Sequence, residues 1–136
     1  MKKIGYAYVV ADLFHIGHLK YLQRCKTYCN KLIVGVLTDE ATMEKKRKTI
    51  ISYEERLEIV ANIKCVDEAV KQDTYSPLKN VKRLKPDILF ESTSHTNEAI
   101  EEVRKLMKEI GGEVVVLEYY SFQSSTKIKQ KINENR

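Results

Sequence analysis

Short apolar runs alternate with stretches of helical spacing along the whole chain. The runs "IGYAYVV", "LIVGVL", "VDEAV", "DILFE" and "EVVVLEY" are brief and rich in β-branched or aromatic residues, which predicts strands. The segments between them repeat apolar positions every three or four residues. "HLKYLQRCKTY" sets Leu19, Leu22 and Lys26 on one side, with Tyr21 and Cys25 beside them. "SYEERLEIVANI" opens on Ser52 with Glu55 three residues later, a capping-box pattern, and then spaces Leu57, Val60 and Ala61 along one face. "TNEAIEEVRKLMKEIGG" stops on Gly111 and Gly112, and "SSTKIKQKI" offers serines and a threonine as caps for a last short helix.

Strands alternating with helices predict the α/β class: a single doubly wound, Rossmann-like domain with a five-stranded parallel sheet. No linker, internal repeat or low-complexity stretch interrupts residues 1–136, so one domain is expected over all of them. Ligands of such sheets bind where strands end and the next helices begin. Three segments fall there: the histidines after the first strand, "ESTSH" after the fourth, and "YYSFQSST" after the fifth.

Composition narrows the setting. An apolar fraction of 43% with 32% charged residues fits a water-soluble globular chain, and no apolar run is long enough to span a membrane. "MKKIGYAYVV" is interrupted too early for a signal peptide. Cys25, Cys29 and Cys65 are odd in number and lack CxxC spacing, which argues for a reducing compartment and a cytoplasmic location. The net charge of +5 gathers in "EKKRK", "KNVKRLK" and "TKIKQK". Such clusters suit phosphate-bearing ligands or a solvated lysine-rich face. No aromatic-interleaved basic stripe points to nucleic acid, and no membrane partner is expected.

The stretch "VVADLFHIGHLKYL" carries the chemistry. His15 and His18 stand three residues apart around Gly17, so a helix starting there brings both side chains to one edge. The free N–H groups and dipole of its first turn favour an anion, and Gly17 admits a close approach. Two imidazoles would add hydrogen bonds to phosphate. Zinc is disfavoured, because it normally takes three or four protein ligands and no HExxH-type pattern is present. Plain helix-capping histidines are the structural alternative.

"DLFHIGH" resembles the nucleotidyltransferases that carry a literal His-Ile-Gly-His motif, and within them the small cytidylyltransferases of the glycerol-3-phosphate and phosphonate-pathway kinds. "LIVGVLTDEA", "KRKTIISYEERLEIV" and "SSTKIK" match further segments of that group, in order. The resemblance implies transfer of CMP from CTP to a small phosphate or phosphonate acceptor with release of pyrophosphate. His15, His18 and Lys48 would be catalytic, with Lys45, Lys46 and Arg47 beside them. Val10, Ala11, Asp12, Gly17, Arg56, Ser92, Ser124, Ser125 and Thr126 would bind the nucleotide. Arg56 would reach the triphosphate from its helix; taken alone, it would sooner pair with Glu54 or another nearby acid. Mg²⁺ would bridge the triphosphate, with no carboxylate cage of its own. Asp12 would orient its loop or hold a metal-bound water. A homodimer is also implied.

Two loops depart from the pattern. Where the relatives carry a Gly-Asp-Asp-Trp-like loop, this chain reads Ser92-Thr93-Ser94-His95. Tyr119 to Gln123 lacks the glycine and basic residue that lead into the terminal serines. Thr93, His95, Tyr119 and Tyr120 are therefore expected to line an altered base or acceptor pocket. The alternatives are an adenylyltransferase of the same fold using ATP, and a degenerate member that binds a nucleotide without turning it over.

Overall fold

The computed structural model describes residues 2–118 and 125–135. Five strands, β1 (Ile4–Val9), β2 (Lys31–Leu37), β3 (Glu68–Gln72), β4 (Ile88–Ser92) and β5 (Glu113–Leu117), form one sheet in the order β3-β2-β1-β4-β5. Every pairing is parallel. The helices are α1 (Ile16–Lys26), α2 (Asp39–Met43), α3 (Tyr53–Ala61), α4 (Leu78–Leu84), α5 (Asn97–Glu109) and α6 (Ser125–Glu134).

Strand alternation divides the core in two. Ala7 and Val9 of β1 and Leu32, Val34 and Val36 of β2 face α1 and α3, packing on Tyr21, Leu22, Cys25 and Val60. Tyr6, Ile33 and Leu89 face the other way and pack on Val81 of α4 and Val103 and Met107 of α5. Covering both faces is why β1, β2 and β4 read as nearly unbroken apolar runs. The predicted doubly wound α/β domain is present, with β1 and β4 adjacent at the point where the strand order reverses.

Local signals account for most element ends. The Ser52 hydroxyl accepts from Glu55 N–H and caps α3, and Thr96 caps α5 by accepting from Ala99 N–H. Gly111 takes φ +82° just past α5, a conformation open to glycine at little cost. Two helices lay outside the expected pattern. α2 is five residues long and is capped by Thr38. α4 follows Pro77 with no side-chain cap and buries only Asn80 and Val81, so "KNVKRLK" looked like a basic cluster rather than a helix. The third strand runs Glu68–Gln72, two residues later than "VDEAV", because Val66 serves as a core residue in the turn before it.

Candidate active site

The chain leaves β1 through a constrained loop. Ala11 and Leu13 hold φ of 61° and 51°, left-handed values that cost non-glycine residues on the order of 1–3 kcal/mol each. Asp12, between them, supplies the compensation. Its buried carboxylate accepts from Ile50 N–H at 3.1 Å and Ile51 N–H at 3.0 Å, and pairs with Lys129 at 3.0 Å. Its carbonyl accepts from the Ser125 hydroxyl. Burial alone would push the carboxyl pKa up, but the two backbone donors and Lys129 outweigh it and hold it below the usual value. Asp12 thus orients its loop and ties α6 to it.

Arg56 is a correction to the expected site. Its side chain is fully buried, with Nε donating to Ile51 O at 3.0 Å, Nη1 to Val10 O and to Leu37 O at 2.8 Å, and Nη2 to Asp39 at 2.7 Å. It clamps the ends of β1 and β2 to the start of α3. With its donors engaged by the protein, it does not reach into the cleft. The acid it pairs with is Asp39, not Glu54.

His15 and His18 open α1 as a reciprocal cap. His15 Nδ1 accepts from Gly17 N–H at 2.9 Å, and His18 Nδ1 accepts from His15 N–H at 3.1 Å. A backbone N–H always brings its own proton, so each Nδ1 is bare and each neutral ring carries hydrogen on Nε2. Burial holds the His15 pKa below its ordinary value. The His18 pKa is pushed down to about 3, first by burial and then by the nearby His15, with an opposing upward pull from Asp12 and a lesser downward one from Lys46. The pair consists of helix caps and of neutral N–H donors at once, not of two cations.

A cleft of about 910 Å³ crosses the carboxyl edge of the sheet. His15, His18, Lys46, Arg47, Ser125, Thr126 and Lys129 give it a donor-rich, cationic part; Tyr8, Tyr75, Ser94 and His95 also line it. Val10 and Asp12 line it too, whereas Ala11 and Gly17 are buried in the supporting loop and first turn. Lys48 is exposed and lies outside the lining, so the basic residues of its segment that reach the cleft are its neighbours Lys46 and Arg47. Ser92 is buried and hydrogen-bonded to Ser94, which takes its place at the wall, and Thr93 is exposed away from it. Tyr119, Tyr120 and Ser124 lie outside the described residues.

Several lining residues escaped the sequence reading. Lys129, Gln130 and Asn133 extend the Ser125–Thr126 face along α6, and their helical spacing was the available signal. Tyr75 sits on the turn after β3, held by a hydrogen bond from its N–H to Glu44. Burial, with an added contribution from the charge of Glu91, pushes its phenol up. No helix among the described residues is long and apolar enough to cross a membrane.

Known proteins bear on this arrangement. The chain is 32% identical over 133 residues to the bifunctional protein HldE of Geobacter metallireducens and 31% identical over 133 residues to that of Helicobacter pylori. Each alignment covers 96% of this chain, which spans 27% and 28% of those relatives' lengths. A crystal structure of a lipopolysaccharide core biosynthesis protein from Thermoplasma volcanium superposes with a TM-score of 0.76 at 25% identity, covering 90% of this chain and all of that one. Pantoate-beta-alanine ligase from Francisella tularensis, at 15% identity, 98% coverage of this chain and 70% of its own, shares the fold with a TM-score of 0.61. The cytidylyltransferase-like family model matches residues 8–131, from within β1 to within α6, and the chain belongs to that family of nucleotidyltransferases.

Proposed function

We propose that this chain transfers a nucleoside monophosphate from a nucleoside triphosphate to a small phosphorylated acceptor and releases pyrophosphate. The observation that carries the reading is a pair of neutral Nε2–H donors, fixed by backbone, facing the same cleft as Lys46, Arg47 and Lys129. An acceptor oxygen attacks the α-phosphorus. The new P–O bond forms as the bond to the oxygen bridging toward the β-phosphorus breaks, and the electron pair departs with pyrophosphate. No protein nucleophile and no proton transfer are required, so catalysis rests on placement and on stabilising charge. His15 and His18 donate to oxygens on the α-phosphorus. The three cations and the Thr126 hydroxyl hold the departing phosphates.

Mg²⁺ is proposed to enter with the triphosphate, where it neutralises phosphate charge. The residues fit an ion carried by the nucleotide: Asp12, the carboxylate lining the described cleft, is already engaged by two N–H groups and Lys129, and no group of three metal-binding side chains is found among the described residues.

CTP is the nucleotide that the family description supports. ATP is a second reading. The curated relatives described above are HldE proteins rather than proteins named for CTP, and a fold neighbour was solved with an ATP analogue. The similarity to a lipopolysaccharide core biosynthesis protein supports a sugar phosphate as acceptor. A homodimer is also proposed, tested by sedimentation.

The test is pyrophosphate release from each of the four nucleoside triphosphates with Mg²⁺ and a panel of sugar and polyol phosphates. Release is expected with one nucleotide and only in the presence of acceptor. His18→Ala should lower kcat by about 10²–10³-fold, the usual cost of one oxyanion donor. Undiminished turnover by a folded His18→Ala protein would remove His18 from the mechanism. Binding without release across the panel would favour the degenerate alternative.

A further inference from the structure

At the reversal point of the sheet, the pairing Tyr6↔Leu89 brings Tyr8 of β1 level with Glu91 of β4, two residues further along each strand. Glu91 is 2% exposed. The Tyr8 hydroxyl lies 2.9 Å from both carboxylate oxygens, and His95 Nδ1 meets Oε2. The Tyr8 and His95 rings stack with centroids 5.5 Å apart, and the Tyr8 oxygen is 3.1 Å from Nδ1. Tyr8 and His95 line the cleft, and Glu91 stands behind them.

A buried carboxylate is seldom the most stable choice for such a position; an apolar side chain of similar size often serves as well or better. What Glu91 supplies is orientation. A carboxylate oxygen accepts, so of the two tautomers of the His95 ring this contact selects the one with hydrogen on Nδ1 and a bare Nε2. This is the opposite tautomer to His15 and His18. The cleft lining therefore includes both ring donors and a ring acceptor. Phosphate oxygens need donors. A ring nitrogen that accepts fits an O–H.

We propose that His95, positioned by Glu91 and Tyr8, is the point at which the cleft recognises a hydroxyl group of one of its two substrates. The inference rests on reading the cleft as a nucleotide and phosphate-acceptor site. The hydroxyl belongs either to the nucleotide ribose or to a polyol or sugar body on the acceptor. His95 makes the contact; Glu91 is a positioning residue that acts through it.

The test is calorimetric binding by the full chain, which needs no turnover. One arm compares ATP and CTP with their 2′-deoxy and 3′-deoxy forms. The other compares glycerol 3-phosphate and mannose 1-phosphate with n-propyl phosphate. In one arm the hydroxylated probe should bind about tenfold tighter than its deoxygenated counterpart, the scale of one hydrogen bond whose loss leaves a partner unsatisfied. His95→Phe, which keeps the stacking surface, should reduce that ratio to below about threefold. His95→Gln, whose amide oxygen still accepts, should restore part of it. Glu91→Leu should collapse the ratio as His95→Phe does. A lowered melting temperature with the ratio intact would give Glu91 a merely structural role and overturn its positioning one. Equal weakening of hydroxylated and deoxygenated probes by His95→Phe would make His95 a phosphate donor and overturn the proposal, as would an unchanged ratio in both arms. Hydroxyl discrimination without pyrophosphate release would remove the transferase reading and leave the subsite. Turnover without discrimination would do the reverse, and binding of no probe would overturn both.

Discussion

Replacing Arg56 with methionine removes a buried cation and four hydrogen bonds at once, while roughly keeping the volume of the stem. The carbonyls of Val10 and Leu37, at the carboxyl ends of β1 and β2, lose their guanidinium donor. The Ile51 carbonyl and the Asp39 carboxylate lose theirs nearer to solvent, since Asp39 is about a third exposed. A buried acceptor left unsatisfied costs about 1–3 kcal/mol, and water can replace the donor for the two outer groups. Counting the two inner carbonyls, with some return from methionine packing, gives a loss of about 3–5 kcal/mol, the scale seen when one partner leaves a buried ion pair. A domain of this size has about 5–15 kcal/mol in all. Urea unfolding followed by circular dichroism should show the midpoint moving down with the slope unchanged. Arg56→Lys should fall between, because one ammonium cannot match a planar fork aimed at several separate acceptors. A loss below about 1 kcal/mol, accompanied by a large drop in nucleotide affinity, would refute the clamp and return Arg56 to the triphosphate.

Two further outcomes follow from the same geometry. The folded state keeps His18 neutral down to about pH 3, whereas the unfolded chain takes up the proton near the ordinary value of 6.5, so stability present above pH 6.5 is lost as pH falls below it. The slope is about 1.4 kcal/mol per pH unit, so His18 should account for about 2 kcal/mol of the loss between pH 7 and pH 5. Comparing urea midpoints of the wild type and His18→Gln at both values isolates it, and parallel losses in the two proteins would contradict it. Gly35→Ala tests the other face of the sheet: an added Cβ would stand 1.9 Å from the Tyr6 hydroxyl, which Gln72 and Asn80 hold in place. Overpacking of this kind should cost about 1–3 kcal/mol, and an unchanged melting temperature would show that Tyr6 moves freely.

The strands were legible as short apolar, β-branched runs, since β1, β2 and β4 are covered on both faces, and α1, α3 and α5 because each buries a stripe whose period of about 3.6 is written in consecutive residues. α2 and α4 were not, since five or seven residues with two buried side chains carry too little periodicity to separate from a turn or a basic run. The donor-rich part of the cleft was legible for a related reason. His15, Gly17 and His18 lie on one helical turn, and Ser125 and Thr126 on another, so their convergence needs only local geometry. Lys46 and Arg47, rather than Lys48, reach the cleft because of how the chain leaves α2, a helix the pattern did not reveal.

What stayed hidden depends on contacts between distant segments. The partners of Arg56 are carbonyls 5, 19 and 46 residues away, and a carbonyl has no sequence signature. Glu91 ends the predicted strand "DILFE" and opens the segment "ESTSH", and the loop Ser92 to His95 after it holds no carboxylate. Only the pairing of β1 with β4 sets that side chain against Tyr8, and only the turn through Ser94 folds His95 back onto it. The same limit explains the histidine charges. Spacing brought His15 and His18 together, but which nitrogen holds hydrogen is decided by backbone N–H groups that exist as donors only once α1 has formed. Residue types thus suggested a phosphate site, while the direction of the hydrogen bonds around His15 and His18, and the contact of His95 with Glu91, are properties of the folded chain.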